Sequence, residues 1–232
     1  MKLVKPQTAT NEHDDAALSA QPVSLHPERR KAPRTWETPP APAPAPHLDD
    51  YQAVAGAAEI DELRFLARQL KGKAVKMVNS TAVGGGVAEM LNRLVPLLGE
   101  PEVATHWDVI TGGNDFFEVT KAFHNALHGA EYELTRAAQE IFLTYTEQNR
   151  QRMQFPEDMV VIHDPQPAGL IARRKDTPGR WVWRCHIDLS NPNPQVWGFL
   201  RPFIEQYDAA IFCFTVLCAA VAPTPVSVLP VH

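Results

Sequence analysis

Lys73 to Leu91, KAVKMVNSTAVGGGVAEML, is the stretch whose reading decides the fold. Lys73–Asn79 (KAVKMVN) reads as a strand, and the apolar run from Val87 to Leu98 (VAEMLNRLVPLL) reads as a helix. Between them stand Gly84, Gly85 and Gly86. Glycine in such a turn lets the backbone approach a ligand, and a helix N-terminus favours negative charge. The loop is not a Walker phosphate loop, because no Gly-Lys-Ser/Thr follows, and GGGVAEM lacks the last glycine of the dinucleotide fingerprint. By its residues alone it is either a ligand cradle or a tight turn, and its place before a helix favours the cradle.

The same strand–helix alternation continues outward. Ile60, Leu63, Leu66, Ala67 and Leu70 recur at helical spacing before Gly72, a helix stop. Strands are expected at THWDVIT, DMVVIHD, RWVWRCHID and AAIFCF, and helices at DFFEVTKAFHNALHG, LTRAAQEIFLTYTEQNRQRM, PAGLIARR and NPQVWGFLRPFIEQY. DMVVIHD is a continuous apolar run, as a parallel strand buried on both faces requires. Strands alternating with helices predict an α/β, Rossmann-like parallel sheet with helices on both faces. Ligands of such sheets bind beyond the carboxyl ends of the strands. That rule selects three loops together: NSTAVGGG, HDPQP and HIDLSNPNP.

The ends differ in character. Residues 1–47 hold nine of the 21 prolines and end in TPPAPAPAPH, so they are expected to be a disordered Pro/Ala-rich tail. Ala209–Ala222 is uncharged but shorter than the ~20 residues that span a bilayer, and it reads as a buried strand with an apolar extension. Hydrophobic residues at 44% and charged residues at 21% suit a soluble protein. A net charge of −5 argues against a nucleic-acid partner. No apolar run follows the N-terminal lysines, so no secretory signal is read, and no membrane partner is expected. Cys185, Cys213 and Cys218 form neither a disulfide framework nor a zinc pattern, and a cytoplasmic setting is expected.

HNALH places His124 and His128 on one helix face, yet Asn125 stands where a metalloprotease needs its glutamate, which argues against zinc. His128, near the helix end, is expected to meet the last carbonyls. RCHIDLSNPNP carries the most chemistry. Arg184 can pair with phosphate or carboxylate, His186 can donate or accept, and Asp188 can grip sugar hydroxyls. The competing reading has Asp188 or Ser190 capping the next helix and His186 sitting in the core.

LDDYQAVAG, LKGKAVKMVNSTAVGGGVAEML, FFEVTKAFHNALHG, VVIHDPQPAGLI and WVWRCHIDLSNPNPQVWGFLRPFIEQYDAAIF, in this order, carry a resemblance. Across roughly 48–212 the chain resembles the N-terminal lobe of the trehalose-forming synthases of retaining glycosyltransferase family 4. The resemblance implies a GT-B arrangement, two Rossmann-like lobes across a cleft, and glucose transfer from a nucleotide diphosphate glucose to glucose with retention. It places Gly84, Gly85 and Gly86 beside the donor diphosphate, and loop atoms of His186 near the anomeric carbon as the catalytic position. Asp164, Gln166, Arg184, Asp188, His124 and Asn125 are implied to hold the acceptor sugar. The resemblance also implies a mechanism in which the leaving phosphate takes the acceptor's proton, so that no protein nucleophile is required; no metal or cofactor is expected.

Where a family member would continue into a second lobe, residues 213–232 read CFTVLCAAVAPTPVSVLPVH, an off-pattern apolar and proline-rich tail. The expectation is a chain lacking the donor lobe, by truncation or a shifted frame, or one paired with a separately encoded C-terminal lobe. A non-catalytic sugar-binding or interaction module, or an inactive remnant, is the alternative.

Overall fold

The computed structural model describes residues 46–212; the expected tails at 1–47 and 213–232 lie, but for Pro46 and His47, outside them. Five strands form one sheet: β1 (Ala74–Asn79), β2 (Ala104–Val109), β3 (Met159–His163), β4 (Arg180–Cys185) and β5 (Ala209–Phe212). Their order is β2-β1-β3-β4-β5 and every pairing is parallel. Parallel neighbours need crossovers, and helices provide them. The helices are α1 (Gln52–Ala55), α2 (Ala57–Gln69), α3 (Gly86–Gly99), α4 (Asn114–Leu127), α5 (Arg136–Arg152) and α6 (Pro194–Ile204).

The two faces of the sheet build separate cores. Val75 and Met77 pack with Ala67 of α2, Leu91 of α3 and Val103. On the opposite face Val78, Val160, Ile162, Trp181 and Trp183 pack against Phe116, Phe123, Phe142 and Leu200 of α4, α5 and α6. The expected α/β sheet with helices on both faces is therefore present. Central β1 is buried along nearly its whole length and β3 at three of its five residues, whereas the edge strand β2 has no buried residue.

Three elements depart from the sequence reading. PAGLIARR is a 3-10 helix over Ala168–Asp176, not an α-helix, and Gly169 there packs against Thr146 of α5. β4 stops at Cys185, so His186–Asp188 belong to the following loop. On α2, Ile60 and Ala67 are buried while Leu63 and Leu66 stay 49% and 50% exposed, so half of the apolar stripe faces outward.

One charged group lies inside the sheet layer. Lys76 of β1 is 7% exposed; its Nζ donates to Asp108 Oδ2 at 3.0 Å and the Gln154 carbonyl at 2.8 Å, and lies 3.2 Å from Glu157 Oε1. Glu157 is itself 3% exposed and also meets His106 Nδ1 at 3.0 Å. Removing one partner of a buried pair strands the other charge, while replacing both can be neutral. Lys76→Met is expected to cost about 3–5 kcal/mol in denaturant unfolding, and Lys76→Met with Glu157→Leu to recover most of it. A double-variant loss equal to the sum of the losses of Lys76→Met and Glu157→Leu made singly would show that the pair is not coupled.

Candidate functional site

The strand order reverses direction between β1 and β3, since the chain leaves β1 toward β2 and returns to build β3, β4 and β5 on the other side. At such a switch point the two adjacent loops part and leave a crevice at the C-terminal edge. Here the loops are Ser80–Gly85 and Asp164–Pro167. The crevice, of about 170 Å³, is lined by Asn79–Thr81, Gly84–Ala88, His124, His163, Asp164 and Gln166. Its volume is below the ~300–1,000 Å³ of a complete small-molecule pocket, as one wall of a larger cleft would be.

The glycine loop is built for open amides. Gly84 and Gly85 have φ of +75° and +85°, which a side chain would strain, and a Cβ at any of the three glycines would project into empty space. Gly85 precedes α3 and no side chain caps that helix, so the first-turn N–H groups point outward unclaimed by a cap. The loop itself is pinned from below. Buried Asn79 accepts from the Trp107 indole at 2.9 Å and donates to the Thr81 carbonyl at 2.8 Å, while Thr81 Oγ1 donates to the Val83 carbonyl at 2.7 Å.

Across the crevice, Asp164 is held in the left-handed region at φ +64°, uncommon for a residue with a side chain. Its N–H donates to the Arg184 carbonyl at 2.9 Å and its carbonyl accepts from the Trp183 indole at 2.9 Å. The carboxylate Oδ1 accepts the His186 backbone N–H at 2.8 Å. β3 and β4 are thus tied together one residue past their register pair His163–Arg184. His186 in turn places its Nε2 2.9 Å from His163 Nδ1, with the rings nearly parallel at 5.2 Å.

Burial dominates the electrostatics. It pushes the Asp164 carboxyl up to about 6, against the opposing pull of the His186 N–H and Arg184. It pushes His163 down to about 3 and His186 to about 4, with the Arg184 cation adding to both. His124 is also lowered, by burial first and by His128 second. Both rings of the stacked pair are therefore neutral near neutral pH.

Of the residues expected from sequence, Gly84, Gly85, Gly86, His124, Asp164 and Gln166 share the crevice, and His186 joins it through His163 and Asp164. Arg184 contributes a backbone carbonyl and a nearby positive charge. Asn125 and Asp188 are exposed and outside the lining. Asp188 Oδ1 accepts from the Ser190 N–H at 2.9 Å and hydroxyl at 2.5 Å, bonds that lower its carboxyl. Neither caps α6: Asn193 does, accepting from Gln195 and Val196 N–H groups. The capping half of the competing reading is thus corrected, and His186 is half buried instead of a core residue. His128 gives its backbone N–H to the His124 carbonyl, and its ring lies 5.0 Å from that of His124. Among the described residues no group of three His, Cys, Asp or Glu side chains could hold a metal.

His163 was not singled out by the sequence reading. Its signal was a polar residue closing an otherwise apolar central strand, one position before the loop. The pH dependence of folding follows from these groups. In the unfolded chain each histidine charges near 6.5, and in the folded chain neither charges above about 4. Their contribution is intact above 6.5 and is lost as pH falls toward 4, most of it through the more deeply buried His163. Raised Asp164 acts oppositely, losing stability as pH rises from 3.8 to about 6. Two groups outweigh one, so stability is expected to rise from pH 4 to 6.5. Asp164→Asn, which tolerates positive φ, is expected to steepen the rise in chemical-denaturation curves, and a flat profile would contradict the neutral pair.

The chain matches the family model described as trehalose synthase, N-terminal domain, over residues 77–218, more than half of its length. It is 47% identical over 168 residues to trehalose synthase of Pyrococcus horikoshii, covering 71% of this chain and 40% of that protein. It is 43% identical over 171 residues to trehalose synthase of Rubrobacter xylanophilus, covering 71% and 41%. Trehalose phosphorylase of Pleurotus sajor-caju is more distant, 31% identical over 189 residues, 71% of this chain and 25% of the phosphorylase. The chain thus spans about two fifths of the length of the trehalose synthases it matches. On the strength of the family match and of these identities, it belongs to the trehalose synthase N-terminal domain family.

Proposed function

We propose that the chain is the acceptor lobe of a retaining glycosyltransferase that moves glucose from a nucleotide diphosphate glucose onto glucose, forming trehalose. The observation that carries the reading is the meeting, in one crevice, of an uncapped helix N-terminus with Asp164 and Gln166. Glycosyl transfer separates positive charge on the sugar ring from negative charge on the departing diphosphate. The first-turn amides of α3 suit the departing charge, and a carboxylate with an amide suits sugar hydroxyls. A neutral His186 adds no positive charge beside the electron-poor ring. No protein nucleophile, metal or cofactor takes part in this route.

The nucleotide is held mainly by a further lobe, on the same polypeptide or separately encoded, and its nucleotide preference lies there. By itself this chain binds sugar without turning it over, because the transition state needs both walls. The higher identity to trehalose synthases than to a trehalose phosphorylase favours the synthase reading over the phosphorylase one. No helix among the described residues is long and apolar enough to cross a membrane.

Half a cleft binds weakly. Glucose is expected to bind the isolated chain in the millimolar range, about 3–4 kcal/mol, with amide shifts in a ¹H–¹⁵N titration gathering at 164–166 and 184–190. Gln166→Ala is expected to weaken it about fivefold, the loss of one hydrogen bond. Shifts on helix faces only, or none at saturating sugar, would overturn the sugar assignment and favour an interaction module.

A further inference from the structure

The contact between His163 and His186 needs one proton between two nitrogens 2.9 Å apart. Two arrangements satisfy it: His186 Nε2–H donating to His163 Nδ1, or the reverse. The other nitrogen of His163 decides between them. Its Nε2 lies 3.3 Å from Met77 Sδ, within a ring that is 3% exposed. A thioether carries no proton and can only accept. If His163 held its proton on Nδ1, its Nε2 lone pair would face the sulfur lone pairs with no donor at hand. With the proton on Nε2, the sulfur accepts and Nδ1 is left to accept from His186.

We propose that His163 is a positioning residue which, anchored by Met77, fixes His186 as the Nε2–H tautomer and leaves His186 Nδ1 as a permanent hydrogen-bond acceptor. His186 Nδ1 has no hydrogen-bond partner among the described residues. The backbone N–H of the same residue is fixed by Asp164, so both the main chain and the ring are held. Neutral rings, kept so by burial and by Arg184, preserve this polarity through the neutral range. Met77 belongs to the α2–α3 core and His163 to the crevice, so packing beneath the sheet dictates which His186 nitrogen is left without a proton at its edge. Resting on the reading above, that acceptor meets a hydroxyl of the bound sugar, not its ring oxygen, which has no proton to give.

Long-range ¹H–¹⁵N imidazole spectra of the chain without sugar test the tautomer. The expected pattern has a pyrrole-type Nε2 and a pyridine-type Nδ1 in both His163 and His186. Met77→Leu keeps the core volume but removes the acceptor. It is expected to move intensity in both rings toward the Nδ1–H form, a change that a purely packing role for Met77 would not produce. Glucose is expected to shift wild-type His186 Nδ1 and to bind the variant about two- to tenfold more weakly. An Nδ1–H His186 in the wild-type chain, or a Met77→Leu spectrum unchanged in tautomer, would overturn the proposal whatever the sugar does. The expected tautomers with an Nδ1 silent to glucose would uphold the positioning role and remove the sugar from it.

Discussion

Between β1 and β3 the chain must depart in opposite directions, and every functional feature of this molecule depends on that reversal. A connection leaving β1 heads for β2 on one side, and one leaving β3 heads for β4 on the other. Nothing that follows either strand can fill the space above both. The sheet therefore opens a crevice there without any residue having to be sacrificed from the core. The glycine turn and the Asp164 loop are the two banks of that opening. Asn79 at the end of β1 and His163 at the end of β3 are where the buried sheet gives way to it.

The two banks are held by different means. On the β1 side the loop is fixed below, at Asn79, and left open above, where Gly84 and Gly85 adopt positive φ and no cap claims the α3 amides. On the β3 side the chain is strained and fully tied. Asp164 sits in the left-handed region, of order 1–3 kcal/mol uphill, and uses its N–H, carbonyl and carboxylate on Arg184, Trp183 and His186. Such over-determination keeps a costly backbone in place. It also sets His186 at the same edge as the crevice, although His186 belongs to the next loop. Gly129 admits that loop against the end of α4, since a Cβ there would come within 3.0 Å of the Asn191 carbonyl.

Much of this was legible in the residues. Apolar runs and breakers place β1, β3, α3, α4 and α5 close to where they lie, because buried parallel strands and amphipathic helices each leave a periodic trace. The three polar loops after strands were recognisable as one edge once the sheet was parallel. Less could be seen where spacing is silent. Ala168–Asp176 has helical composition but tightens to 3-10 where Gly169 packs against Thr146. Asp188 and Asn125 have the chemistry of a sugar site, yet one is engaged with Ser190 and the other is exposed outside the crevice. The pairing of His163 with His186 depends on strand register, and no local pattern announces a contact 23 residues apart.

The central claim is that the glycine turn and the Asp164 loop are the two banks of one crevice, the first beside the departing diphosphate and the second beside the acceptor sugar. The most direct measurement is an amide-resolved titration with uridine diphosphate glucose, alone and with saturating glucose. The nucleotide sugar should move the signals of Gly84–Ala88, glucose should move those of Asp164 and Gln166, and each ligand should change the dissociation constant of the other. If glucose leaves the affinity read at the glycine turn unchanged, the loops are separate and the claim is wrong.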